Sequence, residues 1–136
     1  MQTRETSSAS DILEFLERYF TTWSTGDMEG YKALFHAQAT IIQVGDGAVY
    51  TLGRDEFVDQ QTPEPGDTVG RREWLTSWAI NEDTVVTEVI AGYELDFGSG
   101  TGRGVDRFTL MRDGAGQWQI ICLLWYGLPM AAAVVR

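Results

Sequence analysis

The sequence predicts an α+β domain: three helices packed on one face of a strongly curved, mainly antiparallel sheet, enclosing a cone-shaped cavity. Three observations carry this. Apolar residues of the first third recur at helical spacing. From about residue 70 onward they alternate at the period of strands. The glycine-rich turns of that second half join strand-like runs, and none opens a helix.

With 136 residues and neither repeat nor linker, the chain is expected to form one domain. It is set at 9–129, between a polar, disordered start at 1–8 and a tail at 130–136. Over residues 10–24, Ile12, Leu16, Tyr19, Phe20 and Trp23 form one helical stripe. Gly26 stops this helix, and Asp27 caps a short second one carrying Met28, Tyr31, Leu34 and Phe35. Strands at 40–44 and 48–52 flank the turn Gly45-Asp46-Gly47. Residues 54–61 make a third helix with Phe57 and Val58 inward, followed by a loop with Pro63, Pro65 and Gly66 near the pocket mouth.

Four long strands complete the sheet. The first, 71–80, places Trp74, Thr76, Trp78 and Ile80 on one face. The second runs over 84–97. The third, 104–112, places Asp106, Phe108 and Leu110 together. The fourth, 117–128, is almost wholly apolar at 120–125, which predicts cover on both faces.

Charge and composition narrow the function. Asp plus Glu number 20 against 10 Lys plus Arg, a formal charge of -10. Such a chain is a poor partner for a phosphate backbone or an anionic membrane surface, so no nucleic acid and no membrane is expected. No apolar run approaches the roughly 20 residues of a span. The first residues carry no apolar leader segment, and the expected location is cytoplasmic. Cys122, the single cysteine, lies in an apolar run and reads as a small buried hydrophobe. Together with the single histidine, His36, it makes a zinc site unexpected. His36 reads as a cap at the end of the second helix. Residues 98–104 are glycine-rich but join two strands, so a phosphate cradle is not expected. The site is read without metal or cofactor.

Two residues stand out as candidates for chemistry. Asp106 shares its face with Phe108 and Leu110. If that face looks inward, desolvation favours the neutral acid, a hydrogen-bond donor. The alternative is that an arginine, backbone donors or water meet the carboxylate. Tyr19 sits on the apolar stripe, either as a core ring or as a proton donor to the cavity. Trp23, Trp74, Trp78 and Trp125, with Phe108, are read as lining either the core or, as a set, a pocket for a flat apolar ring.

The segment from Arg18-Tyr19 through Gly26-Asp27 and Leu34-Phe35 to Ala39-Thr40 resembles the opening of the nuclear-transport-factor-2-like superfamily. Gly104-Val-Asp106-Arg-Phe108 and the hairpin running to Ile120 resemble its penultimate hairpin. The resemblance spans residues 10–128. It implies a cystatin-like roll of the kind found in ketosteroid isomerases, SnoaL-type polyketide cyclases, scytalone dehydratase and limonene epoxide hydrolase. Set against bacterial ketosteroid isomerase, the tyrosine and protonated aspartic acid of the oxyanion hole fall on Tyr19 and Asp106. The position of the general base falls on Gln43, an amide that accepts no proton at physiological pH, and Gln43 is read as a ligand contact. A base would have to come from elsewhere: Asp46, Glu73 and Glu88 are candidates, none placed by a motif. Two functions follow as expectations. One is a cofactor-free isomerase, cyclase or dehydratase acting by proton transfer on a small apolar, ring-bearing molecule. The other is a non-catalytic ligand-binding or dimerisation module. The resemblance further implies a homodimer through the open sheet face, where Val105, Ile121 and Leu123 are expected.

Overall fold

The computed structural model describes residues 2–65 and 70–129, with side chains from residue 9. Gly66 of the proline loop and the tail at 130–136 lie outside the described residues. Helix α1 (Gln2–Thr25) is followed by α2 (Met28–Ala33), strands β1 (Phe35–Gly45) and β2 (Ala48–Gly53), and helix α3 (Arg54–Gln61). Strands β3 (Arg72–Glu82), β4 (Thr87–Asp96), β5 (Thr101–Arg112) and β6 (Trp118–Gly127) complete the chain.

The α1 stripe is buried as its spacing requires: Ile12, Phe15, Leu16, Tyr19 and Phe20 all lie in the core. The helix begins at Gln2, well before residue 10, where the stripe begins. The polar 2–9 stretch has no apolar periodicity to announce a helix. Gly26, at φ 78, closes α1 in the left-handed conformation that glycine adopts without strain. Asp27 then caps α2, its side chain accepting from the Gly30 N–H at 3.0 Å. Phe35 and His36 belong to β1 instead of α2. The His36 Nδ1 accepts from the Gln38 N–H and caps no helix.

The sheet order is β2-β1-β6-β5-β4-β3. All neighbours are antiparallel except β1 and β6, which run parallel. The β1–β2 hairpin turns on Asp46 and Gly47, both at positive φ, the geometry an Asp-Gly pair favours.

Two bulges reset which residues face the helices. In β3 the register shifts between Leu75 and Ser77. Simple alternation puts Trp74 on the same side as Trp78 and Ile80. The extra residue, Thr76, reverses the faces before it, so Glu73 and Leu75 point inward opposite Leu95 and Tyr93. Trp74 points outward opposite Glu94. Gly92 makes room here, since a Cβ on it would collide with the Ser77 hydroxyl. In β6 the shift falls at Ile121, so Leu123 pairs with Phe108 and is fully buried instead of lying on the outer face. Cys122 is half-buried and outward, opposite Thr109.

Candidate functional site

Helix α1 packs against β3, α3 against β1 and β2, and α2 against β1, α1 and α3. Between them lies a cavity of about 190 Å³. Its polar lining comes from Tyr19, Tyr31, Gln61, Glu73, Tyr93 and Asp106, and its apolar lining includes Trp23, Phe57 and Trp125.

Asp106 lies mid-strand in β5, opposite Ala91 of β4 and Trp125 of β6, all on the inner face. It is 4% exposed, and its Oδ2 has no hydrogen-bond partner. Burial pushes its carboxyl up to about 8, which makes the neutral acid the stable form over most of the physiological range. The alternative reading, a carboxylate met by an arginine, is not what the fold provides: Arg107, the next residue, pairs with Ile90 and Leu124 on the outer face.

Tyr19 is buried among aromatic rings. Phe108 meets it edge-on at 5.0 Å and Phe20 at 5.2 Å. Its hydroxyl accepts a 3.0 Å hydrogen bond from the Tyr31 hydroxyl. That leaves its own proton for a ligand. Burial, and then the nearby Tyr31 and Asp106, raise its pKa well above the ordinary value, so it remains a neutral donor.

Glu73 is the carboxyl that the bulge turns inward. Burial is the main cause of its strongly raised pKa, with the Asp106 charge adding and Arg71 opposing. Ser24 of α1 holds the strand at this point: its Oγ accepts from the Glu73 N–H at 2.8 Å and contacts the Glu73 carbonyl at 3.4 Å. The mouth is tied by Arg71. Its guanidinium stacks on the Trp23 ring at 3.5 Å and donates to the Trp23 carbonyl at 2.7 Å. The Trp23 indole N–H in turn donates to Gln61 Oε1 at 2.9 Å.

Of the residues singled out in the sequence, Tyr19, Asp106, Trp23 and Trp125 come together around the cavity. Phe108 is buried behind Tyr19 and forms wall, not lining. Gln43 lies beside Trp125 in the β1–β6 ladder, but its amide donates to Gln60 of α3 and does not line the cavity. Trp74 and Trp78 are not at the cavity. They line a separate groove between α1 and β3, and Trp78 is 53% exposed. The physical reason for Trp74 is the bulge at Thr76; beyond it, Trp78 stays solvated despite its inward register. Among the candidate bases, Glu73 alone reaches the cavity. Asp46 sits in the β1–β2 turn, and Glu88 is exposed at a shallow depression of the outer face. Sequence alternation misses Tyr31 and Tyr93 as lining residues, although Tyr93 shares its face with Ala91, opposite Asp106.

Among the described residues, no group of three or more His, Cys, Asp or Glu could hold a metal ion. No helix among them is long and apolar enough to cross a membrane.

Comparison with known proteins agrees with this architecture. An ntf2-like protein with a cystatin-like fold from Novosphingobium aromaticivorans superposes with TM-score 0.76 at 18% identity, covering 99% of this chain and 93% of that one. A protein from the same organism described as a "Putative Scytalone Dehydratase" gives TM-score 0.76 at 15% identity, covering 95% and 89%. ActVI-ORFA from Streptomyces coelicolor gives 0.73 at 11% identity, covering 89% and 97%. At these identities the likeness establishes the fold alone. No curated protein matches the chain. The family model described as "Putative lumazine-binding" matches residues 7–126, from within α1 to within β6. The chain belongs to that family, on the nuclear-transport-factor-2-like fold.

Proposed function

We propose that the protein binds a small, ring-bearing carbonyl compound in this cavity and moves a proton on it without a cofactor. The observation that carries the reading is the convergence of a buried carboxyl, Asp106, and a half-buried one, Glu73, with the Tyr19 hydroxyl on one aromatic-lined cavity. An engineered cavity of about 150 Å³ holds benzene. The volume here therefore suits a ring with substituents, or two fused rings, and is small for a four-ring steroid.

The chemistry follows from the charges. The ligand oxygen accepts from the Tyr19 hydroxyl, which Tyr31 polarises, and from a protonated carboxyl. Once one of the two carboxyls ionises, the pair holds one donor and one base within a single site. The base takes a proton from the carbon next to the carbonyl. The resulting enolate oxygen is held by the two donors, and the proton returns to another carbon or a leaving group departs. Activity is expected to rise with pH as the pair loses its first proton, toward about 8.

Gln43 at the position matched to the general base of ketosteroid isomerase favours a second reading, binding without turnover. A single experiment separates the two: a cyclic enone incubated with the protein in heavy water and followed by proton NMR. The first reading requires exchange at the carbon next to the carbonyl, lost in Glu73→Gln with binding retained. Binding without exchange in the wild type sinks proton transfer and leaves the second reading. We further propose a cytoplasmic homodimer with the outer sheet face as its interface.

A further inference from the structure

We infer that the indole N–H of Trp125 is a second ligand donor beside Asp106, so that the cavity selects flat molecules carrying two acceptor oxygens. The inference rests on the reading of this cavity as a ring-binding site and narrows its ligand class.

Among the described residues, the buried side-chain polar atoms without a partner are Arg71 Nε, Asp106 Oδ2, Trp118 Nε1 and Trp125 Nε1. Two of these belong to residues directly opposite each other in the β5–β6 ladder, and both residues line the cavity. The other two residues do not line it. Trp118 lies under the Arg112 guanidinium at 4.4 Å, and Arg71 is stacked on Trp23. A buried donor left unpaired is penalised, and a phenylalanine at 125 would fill the wall without that penalty. Trp125 Nε1 makes no bond to Asp106 Oδ2 across the ladder, and other neighbouring acceptors are engaged. Gln61 Oε1 takes the Trp23 indole, the Tyr19 oxygen takes Tyr31, and the Gln43 amide is tied to Gln60.

Tyr19, Asp106 and Trp125 thus all line the cavity, and Asp106 Oδ2 and Trp125 Nε1 have no partner in the protein. Opposed residues on one sheet face carry their Cβ atoms about 4.5–5.5 Å apart. Two unpartnered groups on separate side chains are satisfied together by a ligand with two acceptor oxygens, such as the 1,3-dicarbonyl of a ring. Lumazine, a fused ring with two carbonyls, has this acceptor count; so does a simple cyclic dione, which makes the cleaner probe.

The test is a matched pair, indane-1,3-dione against indan-1-one, titrated by calorimetry in mildly acidic buffer where Asp106 keeps its proton. The wild type is expected to bind the dione about tenfold more tightly. Trp125→Phe is expected to bring the ratio close to one by weakening the dione alone. A wild-type ratio near one overturns the inference. So does a ratio that survives in Trp125→Phe; if Asp106→Asn still weakens both ketones, the ring-binding reading stands without it. Failure of both ketones to bind the wild type overturns that reading and the inference together. If Trp125→Phe does not fold, the Trp125 indole N–H resonance of the wild type carries the test. It is expected to move downfield with the dione and not with the monoketone, and a resonance unmoved by bound dione overturns the inference.

Discussion

Asp106 determines how stability should respond to pH. Its carboxyl ionises near the ordinary value of roughly 3.9 when unfolded and at about 8 when folded. The folded state therefore holds a proton that the unfolded chain gives up. Stability is full below pH 4 and falls as pH rises, until the folded carboxyl also ionises near 8. Asp106→Asn removes this loss. It should stabilise the protein by on the order of 4 kcal/mol at pH 7 and by little at pH 4, read from urea melts at the two values. An unchanged pH profile would mean that Asp106 is not the buried neutral acid described. Tyr31→Phe acts differently. It deletes the 3.0 Å hydrogen bond to Tyr19 inside the core and should cost about 1 kcal/mol at every pH. It should also weaken ligand binding, because Tyr19 loses the group that polarises its proton. Paired melts and titrations of this variant check both effects.

At the scale of elements, helices and hairpins were legible and faces beside bulges were not. The α1 stripe, the Asp27 cap, the Asp46-Gly47 turn and the inward Asp106 all follow from local spacing, because nothing interrupts the period. Trp74 and Leu123 were misplaced, and Glu73 was left unplaced, for one reason: a bulge shifts parity without leaving a residue type that marks it. The carboxyl that completes the site was thus visible only as one candidate among three. Lining by Tyr31 depends on how α2 docks, which no periodicity encodes. Close packing of β5 yields a further prediction. Gly104 lies opposite Tyr93 and Gly127, and a Cβ there would run into the Tyr93 hydroxyl and the Tyr126 carbonyl. Gly104→Ala should destabilise by about 1–3 kcal/mol, since backbone cannot yield as a side-chain tip can. Adding Tyr93→Phe should recover part of that loss but not all, because the carbonyl contact remains. Thermal melts of the single and double variants measure it; full recovery would place the strain entirely on the tyrosine.

The whole molecule has one sheet face that the described residues leave uncovered. The helices pack on the inner side of the sheet, while Ile42, Leu124 and Tyr126 lie on the outer side in register with Val49, Val44, Ile90 and Arg107 around them. Val49 is 66% exposed and Ile90 41%. Six strands at roughly 4.8 Å spacing and about ten residues at roughly 3.3 Å each give a face of roughly 24 by 30 Å. That approaches the ~800 Å² per partner of a standard stable interface. A two-fold pairing of such faces needs no partner other than a second copy. The outer face carries charges of both signs, Glu88 and Glu94 on β4 and Arg103 and Arg107 on β5, so opposite charges can meet across the pairing surface. The expected result is a dimer in sedimentation equilibrium at micromolar concentration. Leu124→Glu with Ile90→Glu should convert it to a folded monomer, because both side chains point outward and neither supports the core. Ligand binding in that monomer should persist, since the cavity opens on the opposite side of the sheet. A wild type that sediments as a monomer, or a double variant that remains dimeric, would remove the sheet face as the interface.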